Sequence, residues 1–183
     1  MDIWLTSDFH FGHSNILVYS NRPFSNAYEM NEALIQNFNS SVKEKDKVLF
    51  LGDFSMKWHY LQGIFPKLHG KWTIIRGNHD FKLWGKLAKK RPDLMCKIEG
   101  IHDLKTVELG LGGKKHTGIV LCHYQMRTWD KKHFGYYHAY GHSHQKVAIN
   151  SKDKAINVGV DAWNYFPVNL DVIISELKGV GFE

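Results

Sequence analysis

Apolar positions along the chain fall into short runs that stop abruptly at polar residues, and their spacing changes from one run to the next. Asp2 to Thr6, Lys47 to Leu51 and Lys71 to Arg76 are compact, largely apolar segments of strand length. Between the first two, Met30, Leu34, Ile35 and Phe38 recur at helical spacing and predict a helix over Tyr28 to Lys43. Shorter helices are expected over Trp58 to Phe65 and from about Leu83 to Lys89. The second of these should stop before Arg91-Pro92, since proline disfavours helix in the residue it follows. The second half is richer in strand. Leu104 to Leu109 and Thr117 to Cys122 flank Gly110-Leu111-Gly112-Gly113-Lys114-Lys115, the strongest hairpin signal in the chain. Tyr136 to Tyr140 is a short aromatic strand, and Val147 to Asn150 with Ala155 to Val160 flank the polar Ser151 to Lys154 as a second hairpin. Asn169 is placed to cap a last helix through Leu177 and Lys178, with Gly179 as its stop. No repeat, linker or low-complexity tract interrupts this series. A single α/β domain over residues 1–183, without a cap domain, is therefore expected.

The ends of these runs carry the chemistry. Five strand candidates are each followed at once by residues able to bind a metal: Asp8 and His10, Asp53, Asn78 and His79, His123, and His142 and His144. In α/β sheets, sites gather where the chain leaves the carboxyl ends of the strands, so groups spread along most of the sequence can converge. Gly52, Gly77 and Gly141 allow the tight turns that such loops need. Imidazole and carboxylate together suit manganese, iron, zinc, cobalt or nickel, whereas magnesium and calcium prefer oxygen alone. A carboxylate can bridge two cations, and a pair of cations roughly 3.5–4 Å apart can activate water and clamp the oxygens of an in-line displacement at phosphorus. Taken singly, each block also has a structural reading as a turn, a helix cap or a hydrogen-bonded histidine.

Composition alters this picture little. Of 183 residues, 43% are hydrophobic and 23% charged, ordinary values for a globular protein. No apolar run approaches the length of a membrane span, and the start lacks the basic and apolar regions of a signal peptide. Two cysteines are too few for a disulfide framework, so a reducing cytoplasm is the expected compartment, and Cys122, after Ile119-Val120-Leu121, is expected to be a buried thiol. The net charge of +6 would favour phosphate-bearing partners, but its lysines are scattered. It permits a phosphoester, a nucleotide or a nucleic acid without choosing among them.

In its order, the set Asp8-x-His10, Gly52-Asp53, Gly77-Asn78-His79-Asp80, His123 and Gly141-His142-x-His144 resembles the calcineurin-like metallophosphoesterase family. The opening Thr6-Ser7-Asp8-Phe9-His10-Phe11-Gly12-His13 is similar to that of its small, compact bacterial and phage members. The resemblance implies an α/β/β/α sandwich of two mixed β-sheets flanked by helices. It implies two divalent metal ions, manganese foremost. Asp8, His10 and His144 would bind one, Asn78, His123 and His142 the other, and Asp53 would bridge both. A hydroxide between them would attack a phosphodiester or phosphomonoester, with His79 stabilising the transition state or protonating the leaving oxygen. A catalytically weak metal-binding scaffold and a nucleic-acid-processing nuclease are the alternatives, although no dedicated nucleic-acid-binding domain is apparent.

Other residues carry weaker expectations. His13 could reach a substrate phosphate or cap the helix after it. Asp80 could orient His79 or begin a helix. Arg22, Arg76 and Arg127 are candidate phosphate clamps, because guanidinium pairs with phosphate in a bidentate way, and each also has a structural reading. His59, His69, His102, His116, His133 and His138 stand outside every block and are expected at the surface or in packing, and the aromatic turn from Gly159 to Tyr165 is expected to pack under the site rather than line a substrate groove.

Overall fold

Strand residues of alternating destination build the centre of the molecule, in a computed structural model that describes residues 1–109, 117–150 and 154–178. β1 (Ile3–Thr6), β2 (Lys47–Phe50), β3 (Lys71–Ile75) and β4 (Ile98–His102) pair in parallel, and the short β10 (Val168–Asn169) joins β1 antiparallel, giving the order β10-β1-β2-β3-β4. The second sheet has the order β5-β6-β7-β9-β8, formed by β5 (Leu104–Leu109), β6 (Thr117–Cys122), β7 (Tyr137–Tyr140), β8 (Ile149–Asn150) and β9 (Ala155–Asn157). Within it β6, β7 and β9 run parallel, while β5 and β8 are antiparallel edges.

Alternation along each strand feeds two different cores. Val48, Phe50, Trp72 and Ile74 face one way, into a cluster with Met30, Leu34 and Phe38 of α2 (Ala27–Ser41), Leu61 of α3 (Trp58–Ile64) and Trp84 and Leu87 of α4 (Leu83–Lys90). Leu5, Leu49, Leu51 and Ile75 face the other way, against Ile119, Leu121, Tyr137, Ala139 and Ile156 of the second sheet. Leu170, Ile173, Ile174 and Leu177 of α5 (Leu170–Lys178) complete that inner layer. The outer face of the second sheet is covered by Trp129 and Tyr136 from the long connection after β6. The result is two mixed sheets flanked by helices, the metallophosphoesterase-type α/β/β/α sandwich. No helix of the described residues is long and apolar enough to cross a membrane.

Local chemistry sets the element ends. Asn26 caps α2 by accepting the Glu29 N–H at 2.9 Å, while the Glu29 side chain reaches back to the Ser25 N–H at 2.8 Å. The Asn169 side chain accepts the Asp171 N–H at 2.8 Å at the start of α5, as expected. Several expectations need correction. The strand read from Val147 forms only at Ile149–Asn150, and the aromatic strand begins at Tyr137. Cys122 is half-buried rather than buried, because β6 ends there at the rim of the sheet. β4 was not legible as a strand: Ile98, Ile101 and the intervening polar residues follow no two-residue alternation. The turn at 110–116, residues 151–153 and the stop at Gly179 lie outside the described residues.

Candidate metal centre

The carboxyl ends of β1, β2, β3, β6 and β7 open onto one place. Beyond the strands the loops stay zipped together: the Asp8 N–H donates to Gly52 O at 2.9 Å, the His10 N–H to Asp53 O at 3.0 Å, and the Gly141 N–H to His123 O at 2.9 Å. Two glycines allow this proximity. A side chain at Gly77 would collide with the Asp53 carboxylate, and one at Gly141 with Ser7 and Asp8. The backbone itself is unusual here. Asp8, His10, Asp53, His142 and His144 all have φ between +50° and +65°, a left-handed region that non-glycine residues avoid at a cost of about 1–3 kcal/mol each. Such strain persists where the surroundings over-determine it, and it clusters on the residues singled out as ligands.

Among the described residues, three groups of side chains converge closely enough to hold an ion, their ligand atoms within 4.8 Å of one another: Asp8, His10 and His144; His10, Asp53 and His79; and Asp53, His123 and His142. Asp53 is central. Its Oδ2 lies 3.4 Å from His10 Nε2, 3.5 Å from His123 Nε2 and 3.9 Å from His79 Nε2. Asn78 joins the His123 side, its Oδ1 3.0 Å from His123 Nε2.

Electrostatics and orientation fit cation binding. Burial pushes His10 down to about 2, so its imidazole is neutral at any ordinary pH. Neither of its ring nitrogens finds a hydrogen-bond partner although the residue is 2% exposed, a deficit that a metal ligand bond would remedy. Burial alone would raise Asp53, but hydrogen bonding and charge from His123, the His79 N–H and His10 hold it at about 2, ready as a carboxylate. Burial raises Asp8 above the usual carboxylate range against the pull of His144 and His123; its oxygens accept from Ser7 Oγ at 2.5 Å and from the His142 N–H at 3.0 and 3.1 Å. His123 Nδ1 lies 2.7 Å from Leu51 O, a carbonyl that can only accept, which fixes the ring with Nε2 turned towards Asp53. His144 Nδ1 is held in the same manner by Asp161 Oδ2 at 2.9 Å.

His79 stands at the edge, half-buried, its ring T-shaped against His10 at 5.2 Å between centroids. His13 is close by, 5.4 Å from the His10 ring and 6.4 Å from that of His79. It occupies the start of α1 (Ser14–Tyr19) without a side-chain cap, so the capping role fails. Asp80 neither orients His79 nor caps a helix: its buried carboxylate accepts the N–H groups of Asp53, Phe54 and Gly77 at 2.7, 3.0 and 3.1 Å. Burial and the Asp53 charge push it up to about 7.

The three arginines are engaged differently. Arg76 is engaged by Asp103 through contacts of 2.8 and 2.6 Å. Arg127 is exposed and makes no side-chain hydrogen bond or ion pair among the described residues. Arg22 is buried and structural. It forks onto both Asp161 oxygens at 2.8 Å and donates to Phe9 O and Asp8 O at 3.0 and 2.7 Å. Asp161 is the site-bearing residue that the sequence reading missed. It follows a strand candidate just as the other blocks do, in the turn expected to pack under the site, and there it ties Arg22 to His144.

Known proteins resemble this chain over most of its length. Residues 1–178 match the profile of the calcineurin-like phosphoesterase superfamily domain. An uncharacterized protein of Methanocaldococcus jannaschii is 36% identical, with 96% of this chain and 91% of that protein covered. The gene 66 protein of Mycobacterium phage D29 is 24% identical over 89% of each. A crystal structure of a protein of unknown function from Aquifex aeolicus superposes with a TM-score of 0.66 at 22% identity, covering 96% of this chain and 98% of that one, which supports the fold.

Proposed function

The chain belongs to the calcineurin-like phosphoesterase superfamily, and from that premise we propose that it is a binuclear-metal-dependent phosphoesterase acting on a phosphodiester or phosphomonoester. Asp8, His10 and His144 hold one divalent cation, Asn78, His123 and His142 the other, and Asp53 serves both. The cations, manganese foremost, supply an activated water and neutralise charge on the phosphoryl oxygens. The single observation that carries the reading is Asp53, a carboxylate whose one oxygen has three imidazole nitrogens at 3.4–3.9 Å, on loops from different strands. His79 binds no cation in this scheme. Its side chain, placed beside Asp53 by the bond from the His79 backbone N–H to Asp53 Oδ1 at 3.0 Å, donates to the developing charge or protonates the leaving oxygen.

The chemistry of the donor set favours manganese, iron, zinc, cobalt or nickel over calcium. The substrate is a small phosphoester or nucleotide reached from water, as Asn78 and His142 are exposed. The test is hydrolysis of bis(p-nitrophenyl) phosphate with added Mn2+. Turnover that disappears in His79→Ala and survives in the surface variant His59→Ala supports the enzyme. Metal-loaded protein inert towards a broad phosphoester panel would instead favour an interaction scaffold.

A further inference from the structure

The two metal positions are built differently, and one buried ion pair belongs to only one of them. Arg22, before α2, and Asp161, after β9, meet deep in the molecule across 139 positions of sequence, both side chains 1% exposed or less. Three of the pair's contacts lead to a single half of the centre. The Arg22 guanidinium donates to the carbonyls of Asp8 and Phe9, pinning the backbone that carries Asp8 and His10 in left-handed geometry. Asp161 Oδ1 and Oδ2 complete the fork, and Oδ2 also accepts the His144 Nδ1–H at 2.9 Å. That bond turns His144 Nε2 towards Asp8, 3.9 Å from its Oδ1. Asp8, His10 and His144 are thereby all held from one side by the same pair. The opposite half is held differently: His123 is oriented by a backbone carbonyl, the backbone before Asn78 is tied to Asp80 through the Gly77 N–H, and Asn78 and His142 are exposed.

We propose that the Arg22–Asp161 pair is a positioning device for the Asp8, His10 and His144 metal position alone, and that this position is the tighter and less exchangeable of the two. The inference rests on the binuclear reading above. Its consequence is that the half lined by Asn78, His123 and His142 fills and empties with ambient metal, so that turnover follows metal supply while the first ion stays bound.

Calorimetric titration of the metal-free protein with Mn2+ separates this inference from the reading beneath it. The wild-type protein is expected to show a tight and a weaker class of site, and His142→Ala to lose the weaker one. Asp161→Asn is expected to weaken the tight class by about 10–100-fold, the usual cost of losing such an outer partner, and to leave the weaker class in place. Arg22→Lys keeps the charge but not the fork and should fall between. Breaking a buried pair can unfold a protein, so the double variant Arg22→Met/Asp161→Leu, apolar and of similar volume, provides a folded control and should also lose the tight class. Loss of the exchange-coupled Mn2+ resonance, leaving the signal of an isolated ion, gives a second readout independent of activity. Two classes of site with unchanged affinities in Asp161→Asn, or with both weakened equally, would overturn the inference and leave the binuclear reading standing. A wild-type protein that binds fewer than two ions removes both.

Discussion

At the scale of single residues, the centre depends on imidazoles whose free nitrogen is chosen by a neighbour. Leu51 O does this for His123, Asp161 for His144, and burial keeps His10 neutral. His79 differs from these because it has no assigned cation, and the claim of catalysis rests on it. His79→Ala should lower kcat by about 10²–10⁴ while Mn2+ affinity measured by calorimetry is unchanged. A parallel loss of metal would place His79 among the ligands instead. The ligand candidates themselves were legible in the sequence, since each is a metal-binding type directly after an apolar run. Their left-handed backbone was not legible: Asp8, His10 and Asp53 have no glycine-like signature, and only the assembled loops impose φ values of 53–61°. Arg22 and Asp161 escaped for a similar reason, as a partnership across 139 positions leaves no local pattern.

Among elements, the strands carry the site and the opposite ends of those strands hold the sheet together. Asp46, just before β2, accepts the Asp2 N–H at 2.9 Å, the Lys43 N–H at 3.0 Å and the Trp4 indole N–H at 3.3 Å. Burial opposes its charge, but these donors outweigh it and hold the carboxyl below its ordinary value. The stabilisation is therefore present above the unfolded-state value and is lost as pH falls through the depressed folded-state one. Asp46→Ala should cost about 1–3 kcal/mol in urea unfolding at pH 7, since it strands several donors. The gap from wild type should close in strongly acidic solution, and a gap independent of pH would show that packing, not charge, holds this corner. The strands and helices around it were readable because their periods are clean: Val48 and Phe50 face α2 while Leu49 and Leu51 face the second sheet. β4 was not, because it is an edge strand whose residues are only partly buried, and a half-exposed edge imposes no strict alternation.

For the molecule as a whole, the metal centre lies where both sheets end, so ligands from the first sheet and from the second are brought together only when the sandwich is assembled. Asp8, Asp53 and Asn78 follow strands of one sheet, His123 and His142 strands of the other. Metal binding must then stabilise the fold. Free Mn2+ at about a hundred times its Kd should add about 2.7 kcal/mol, raising the thermal midpoint by roughly 5–10 °C, and chelation should reverse the gain. A midpoint indifferent to Mn2+ would mean that the loops do not bind the ion. The two-sheet architecture was legible only through the family resemblance, because strands that end on ligand types specify an α/β domain without saying whether they share one sheet or two.

The central claim is that one carboxylate, Asp53, joins two cations in a phosphoester-binding site. Anomalous diffraction from crystals grown with manganese and phosphate tests it most directly. Two manganese peaks about 3.5–4 Å apart are expected, with Asp53 between them, Asp8, His10 and His144 on one, Asn78, His123 and His142 on the other, and phosphate beside His79. A single peak, or manganese bound away from Asp53, would contradict the account.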